Sequence, residues 1–435
     1  MSTEDRERQG AGSELTASRP EVVVVTGASA GLGRAIVRAF AREGAHLGLL
    51  ARGCDGLEGA RRDVEALGGR ALVLPTDVAD AEGVERATEA VEREFGPIGI
   101  WINNAMVSVF SPVRKMKPED YFKLYRYTTE AIKEVDSKLR VGGPATAKNE
   151  WVEEFLDFCE RHNLPADFVT THHYPTDAFG VEDDDTETQL AQGRRSVLRE
   201  QAQDMRRRAR GKPVYYTEWN TSSNPRDPLH DEPYAAAFVT KTVMEANGLV
   251  EGYSFWTFSD IFEENYFPSV PFHGGFGLMN LYGIPKPTYR AFELLHRLGN
   301  KLLLVDGSHE TVNAWVVRKE RSFTVLLTNH ALPRRPVKTE QVEVKLSNAP
   351  RACYAYVERI DEAHANARAM WREMGEPEYL SAREVELLEE ASRMWKEPHS
   401  CEHVKDDLYL DITLPPHAVA AITVEYVPGH GGPQG

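Results

Sequence analysis

Between Glu21 and Ala105, short apolar runs alternate with segments whose apolar residues recur every three or four positions. EVVVVTG, HLGLLAR, RALVLPTDV and IGIWINNA have the apolar, β-branched character of strands. LGRAIVRAFAREG, CDGLEGARRDVEALGG and DAEGVERATEAVEREFG carry helical spacing and end at glycines. Such alternation predicts βαβ units and a parallel sheet. It continues beyond residue 120 with different content. YFKLYRYTTEAIKEVDSKL, WVEEFLDFCERHN, RRSVLREQAQDMRRRARG and YAAAFVTKTVMEANG predict helices, and RVGGPA, ADFVTTHHYP, KPVYYTEWN and GYSFWTFSD predict strands. VEDDDTET reads as an acidic loop. After about Leu295 the character changes again. TVNAWVV, SFTVLLTN, QVEVKLS, LYLDITL and AVAAITVEYV predict a mainly antiparallel β domain, interrupted by one helix in AREVELLEEASRMWK.

A chain of 435 residues can bury the cores of two or three such domains. Its formal charge of −16 argues against nucleic-acid and anionic-membrane partners, which need a basic surface. Nowhere do enough apolar residues run together to span a bilayer. The polar opening MSTEDRERQGAGSELTASRP contains no apolar core of a secretory signal. Cys54, Cys159, Cys353 and Cys401 are widely spaced, which favours free thiols in a reducing compartment. A cytoplasmic enzyme is expected, and a homo-oligomer is left open.

Thr26-Gly27-Ala28-Ser29-Ala30-Gly31-Leu32-Gly33 follows a strand and opens a helix. Glycines there permit a tight turn and close backbone approach, and the helix N-terminus can face a pyrophosphate. Gly27, Ser29, Gly31 and Gly33 are therefore candidate cofactor contacts. Arg52 ends the second strand, where a cation can meet a 2′-phosphate and favour NADP over NAD. Asp77-Val78 ends the third strand and Asn103-Asn104-Ala105 the fourth. Together these residues resemble the classical short-chain dehydrogenase/reductase family over roughly residues 21–120. The resemblance implies an NADP site that includes Asp77 and Asn103. Hydride transfer in that family needs a Tyr and a Lys one helical turn apart, and no such helix follows Asn103. The chain's one Tyr-x-x-x-Lys, Tyr282 to Lys286, contains Gly283 and Pro285 and is not expected to be helical.

From about Tyr121 onward the chain is similar to family 39 glycosidases, in particular their β-xylosidase branch. The match is carried by YFKLYRYTTEAIKEVDSKLRVGGPA, ADFVTTHHYPTD, KPVYYTEWNTSSNPRDPLHDEPYAAA, GYSFWTFSDIFEE and FHGGFGLMNLYGIPKPTYRAF. The resemblance implies a (βα)8 barrel with a β-sandwich beside it, and retaining hydrolysis by two carboxylates. It implies Glu218 as nucleophile, with His172, Tyr174, Trp256, Glu263 and Glu264 contacting a small oligosaccharide or aryl glycoside. Without the resemblance each residue has a plainer account: a solvated strand end, a core His, an aromatic rim, an exposed acidic pair. His172 and Tyr174 share a strand face, so His173 should point away, which also argues against a metal site on that pair. Glycosidase chemistry of this type needs no cofactor. The family's acid/base glutamate follows an Asn before the helix that here begins YFKLYRY, and no Asn-Glu precedes it. Asn149-Glu150 instead falls where a helix starts, and Glu150 suits the positive end of its dipole.

The expected organisation is a tail (1–20), a Rossmann half (21–120), a partial (βα)8 barrel (121–298), a β-sandwich (299–428) and a short tail (429–435). The Rossmann strand order should be 3-2-1-4. Three functional classes fit: a β-xylosidase-like glycosidase impaired by the missing acid/base segment, an NADP-binding reductase derivative without its catalytic pair, and a non-catalytic fusion product.

Overall fold

A computed structural model describes residues 20–105, 117–177, 185–261 and 268–426. The chain divides into two compact units, the second beginning at Lys117.

In the first unit, β1 (Val22–Thr26), β2 (His46–Ala51), β3 (Arg70–Pro75) and β4 (Ile100–Ile102) alternate with α1 (Gly31–Arg42), α2 (Cys54–Ala66) and α3 (Ala81–Phe95). The strands form one parallel sheet in the order β3-β2-β1-β4, as the motif predicts. Every residue of β1 is buried, because helices cover both faces of the sheet. Val23, Val25, Leu47 and Leu49 pack with Val37 and Val64 of α1 and α2, while Val22, Val24 and Leu50 pack with Ala87 and Val91 of α3. Alternation along β1 thus divides its valines between two cores. Because β2 and β4 flank β1 on opposite sides, a crevice opens at the C-terminal end of β1.

The second unit opens with α4 (Pro118–Val135), β5 (Gly142–Ala147), α5 (Val152–Arg161), β6 (Phe168–His173), α6 (Thr186–Gln192), α7 (Val197–Arg208), β7 (Val214–Trp219), α8 (Pro233–Glu245), β8 (Gly252–Phe255) and α9 (Pro287–Arg297). Its parallel sheet runs in sequential order, β5-β6-β7-β8, the order of barrel strands. Phe122, Phe155, Val169, Met205, Val214 and Tyr216 join α4, α5 and α7 to this sheet. Pro233 to Thr242 of α8 are all buried. On one side Phe238 meets Trp219, and on the other Ala236 and Ala237 meet Leu326, Val419 and Ala421. A helix covered all round carries apolar residues on every face, as YAAAFV does.

The remaining elements are β9 (Lys301–Leu303), β10 (Val312–Lys319), β11 (Ser322–Asn329), β12 (Glu340–Leu346), β13 (Ala352–Ile360), α10 (Ala367–Glu373), α11 (Ala382–Ala391), β14 (Glu397–Pro398), β15 (Glu402–Val404), β16 (Asp407–Leu414) and β17 (Val419–Tyr426). A six-stranded sheet, β14-β13-β17-β11-β10-β9, faces a three-stranded one, β12-β16-β15. Val325, Leu327, Val357 and Ile422 of the first interdigitate with Leu408, Leu410, Ile412 and Leu414 of the second. This is the expected sandwich.

The structure corrects several local expectations. The acidic stretch around 181–188 is not all loop: Asp185 accepts from the Thr188 amide at 2.6 Å and caps α6. The third strand stops at Pro75, so Asp77 lies beyond it, accepting from the Ala79 amide at 3.0 Å in a turn. Helices α9 and α10 and strand β13 lie outside the runs that periodicity singled out.

Candidate active site

Glu218 stands near the C-terminal end of β7, opposite His172 on β6. The register there is irregular: Thr171 faces Tyr216, and the next β6 residue, His172, faces Glu218. Thr217 is the extra residue, and the bulge re-aims the strand end. Tyr216 and Trp219 remain in the core while Glu218 keeps 23% of its side chain exposed. The Tyr174 phenol donates to Glu218 Oε1 at 2.7 Å, and His172 Nδ1 lies 3.5 Å from Oε2. Both carboxylate oxygens are thereby oriented, on a group that solvent or a substrate can reach.

Alternation places His173 on the opposite side of β6, as expected. Its ring stacks on Tyr216 with centroids 4.1 Å apart, and its Nδ1 meets the Tyr253 hydroxyl at 2.5 Å. Burial pushes the His173 pKa down to about 3, so the ring is neutral. Trp256 directly follows β8, and its amide donates to the Trp219 carbonyl at 2.9 Å, which ties it to the residue after Glu218. Glu263 and Glu264 lie outside the described residues.

In the first unit the glycine-rich turn has the close approach that its sequence predicts. Gly27 has φ +66, and a Cβ on Gly33 would stand 2.2 Å from the Gly27 carbonyl oxygen. Helix α1 begins after Ala30 with no side-chain cap, leaving its first amides for a ligand. Ser29 and Gly31 lie on this turn, and Arg52, exposed, directly follows β2. Asn103 accepts from Trp101 Nε1 at 3.0 Å. Its neighbour Asn104, not singled out in the sequence, holds the turn together. The Asn104 amide donates to Thr26 Oγ1 at 2.9 Å and its side chain to the Thr26 carbonyl at 3.1 Å. The repeated Asn in NNA was the available signal.

Comparison with known proteins bears on both units. The family model for glycosyl hydrolases family 39 matches residues 99–404. The chain belongs to this family. A β-xylosidase of Caldicellulosiruptor saccharolyticus is 44% identical over 71% of this chain, and one of Geobacillus stearothermophilus is 33% identical over 75%. The chain spans 64% and 65% of the lengths of these two curated relatives. The crystal structure of a monomeric β-xylosidase from Caulobacter crescentus shares the fold, with a TM-score of 0.63 at 22% identity, covering 94% of this chain and 96% of that one. The short chain dehydrogenase model matches residues 21–132, so the two family matches overlap between residues 99 and 132. A gluconate 5-dehydrogenase of Gluconobacter oxydans is 35% identical over 25% of this chain and 43% of its own length. The chain is thus a composite of a family 39 segment and a short-chain-dehydrogenase-like segment.

Within this family 39 chain, Asn149 is structural. It is buried, donates to the Gln201 carbonyl at 3.0 Å and accepts from the Tyr216 hydroxyl at 3.2 Å. Glu150 is exposed just before α5. Tyr282 and Lys286 do not share a helix: Tyr282 accepts from the Leu380 amide at 3.2 Å, and Lys286 is the residue before α9. Among the described residues no group of three His, Cys, Asp or Glu side chains could hold a metal, and no helix is long and apolar enough to cross a membrane.

Proposed function

We propose that the second unit retains the nucleophilic half of a retaining β-xylosidase, with Glu218 attacking the anomeric carbon of a small oligosaccharide or aryl glycoside. The observation that carries this is the Tyr174–Glu218–His172 cluster at the ends of β6 and β7, inside a chain of family 39. In the first step the anomeric C–O bond breaks and a bond to Glu218 forms. With no acid/base glutamate at its expected sequence position, departure of the aglycone depends on its own acidity. Substrates with acidic phenol leaving groups should therefore glycosylate Glu218, and azide, which needs no general base, should speed release. The test is mass spectrometry of the chain treated with an activated aryl xyloside. A xylosyl adduct on Glu218, lost in Glu218→Gln, supports the proposal. Failure to label Glu218 overturns it and leaves the non-catalytic fusion product.

The alternative reading is an NADP-binding first unit, supported by the Gly27–Gly33 turn, the uncapped start of α1 and Arg52, which would face the pyrophosphate and 2′-phosphate. When bound, the nicotinamide would supply hydride chemistry. The residues of this unit would bind and orient it, and the sequence lacks the family's Tyr/Lys pair for proton transfer. Fluorescence titration with NADPH tests binding.

A further inference from the structure

Three charged side chains that Glu218 does not touch form a fully buried ion cluster. Lys286 Nζ lies 2.6 Å from Asp231 Oδ1 and 2.7 Å from Asp260 Oδ2, with each side chain at 0% exposure. Its third contact is the Gly275 carbonyl at 2.9 Å. Removing one member of such a cluster strands a charge in the interior, while the intact cluster spends its energy on geometry. Burial disfavours the charged form of Lys286, but the two carboxylates outweigh it and raise the pKa.

What the cluster grips is backbone. The other Asp231 oxygen accepts from the Gly274 amide at 2.7 Å, and the other Asp260 oxygen from the Gly277 amide at 2.7 Å. His230, at the end of the 3-10 turn Pro228–Asp231, meets the Gly274 carbonyl at 3.0 Å. The glycines are required. A Cβ on Gly275 would stand 2.4 Å from Asp260 Oδ1, and one on Gly277 2.3 Å from the Asp260 amide nitrogen. Between them, the Phe276 carbonyl accepts from the Thr257 amide at 3.1 Å and from Asn220 Nδ2 at 3.2 Å. Asn220 is two residues past Glu218, is 1% exposed, and also donates to the Trp256 carbonyl. A continuous set of hydrogen bonds therefore runs from Lys286 through the His273–Gly277 segment to Asn220 and the Trp256–Thr257 peptide.

We propose that Lys286, Asp231 and Asp260 are positioning residues for the sugar site, fixing Trp256 relative to Glu218 through Phe276 and Asn220. This rests on the proposed function for its meaning in substrate binding, and is tested so that the two can fail separately. Full-length protein carrying 5-fluorotryptophan is examined by 19F NMR, with the Trp256 signal assigned by Trp256→Phe. Lys286→Met and Asn220→Ala should each shift or broaden the Trp256 resonance while those of Trp101, Trp151, Trp315 and Trp395 stay put. A cluster that only stabilises the fold would lower the melting temperature without singling out Trp256. Should Lys286→Met fail to fold, Asp260→Asn, which keeps the ion pair of Lys286 with Asp231, serves with Asn220→Ala. If the wild type is xylosylated, Asn220→Ala should raise the half-saturating aryl xyloside concentration at least fivefold. If it is not, the function fails and the 19F result still decides the positioning. A Trp256 signal unchanged in both folded variants overturns the proposal.

Discussion

The molecule contains two four-stranded parallel sheets made from the same local alternation of strand and helix, yet they place their sites differently. In β3-β2-β1-β4 the chain turns back at β1, and the strand end at that reversal carries the glycine turn and Asn104, which holds it through Thr26. In β5-β6-β7-β8 there is no reversal, and neighbouring strand ends bring side chains together, Glu218 against His172 and Tyr174. Strand order decides whether a strand terminus presents main chain, suited to phosphates, or side chains, suited to proton and group transfer. The comparison predicts two separable chemistries. Glu218→Gln should lower glycosylation by an activated aryl xyloside at least about 1,000-fold, roughly 4 kcal/mol in the barrier, because the proposed step needs the Glu218 carboxylate to attack the anomeric carbon. The same variant should leave the NADPH titration unchanged. A parallel loss in both assays would break the comparison.

A carboxylate of the first unit and a histidine of the second respond to acid over different pH windows. In the first, the half-buried Asp63 carboxyl is held down to about 2 by hydrogen bonds from Arg34 and Arg38, so its contribution is present at neutral pH and lost only as pH falls below the ordinary carboxylate range. In the second, the His417 imidazole responds earlier. Burial lowers His417 to about 4, with its ring 5.2 Å from Tyr234 and 5.7 Å from His330. A histidine depressed in the folded state takes up its proton more readily when unfolded. Stability is therefore full above the unfolded value of 6.5 and declines as pH drops toward 4. The expected loss from this residue is roughly 3 kcal/mol across that window. Urea unfolding between pH 7 and 4 should show it, and His417→Asn, which tolerates the residue's positive φ, should flatten the slope. An equal slope in wild type and variant would assign the acid sensitivity elsewhere.

A smaller effect tests how the Glu218 site is assembled. Tyr174→Phe keeps the ring and deletes the phenol that donates to Oε1. A hydrogen bond to a charged group is worth about 1.5–3 kcal/mol, so glycosylation should slow roughly ten- to a hundredfold while Glu218 remains the labelled residue. Rates within twofold of wild type would mean that the 2.7 Å contact does not orient the attacking carboxylate.

Much of this was legible in the chain, and what was not has a common cause. The four valines of β1, the glycine turn, the TEWN strand end and the alternation of His172, His173 and Tyr174 are local patterns, and local patterns survive in sequence. Nothing within a few residues of Lys286, Asp231 or Asp260 announces that distant loops will close over them, so their buried ion pairs are not written in any local pattern. Strand β13 mixes Cys353, Glu358 and Arg359 with its apolar residues, yet it sits inside the larger sheet because β14 and β17 pair with it on either side. Asn104 rather than Asn103 carries the hydrogen bonds to Thr26, a choice set by which amide faces β1. Family resemblance singled out Glu218, which periodicity alone reads as a solvated strand end. It could not reveal that Asn220, just past β7, is joined to Trp256 and Phe276, because that link is made by contacts between separate loops.

The smallest expected effect concerns the first unit alone. Arg52 is exposed immediately after β2, where the ribose of a dinucleotide bound on the Gly27–Gly33 turn would reach. An exposed cation meeting a phosphate is screened by solvent and salt, so its contribution is nearer 1 kcal/mol than that of a buried pair. Arg52→Ala should weaken NADPH binding about fivefold and leave NADH binding unchanged, and raising the salt concentration should shrink the difference. Equal weakening of both nucleotides would make Arg52 a structural residue of the β2 terminus. An effect on NADPH only would show that a strand end built mainly from backbone still uses one side chain to choose its ligand.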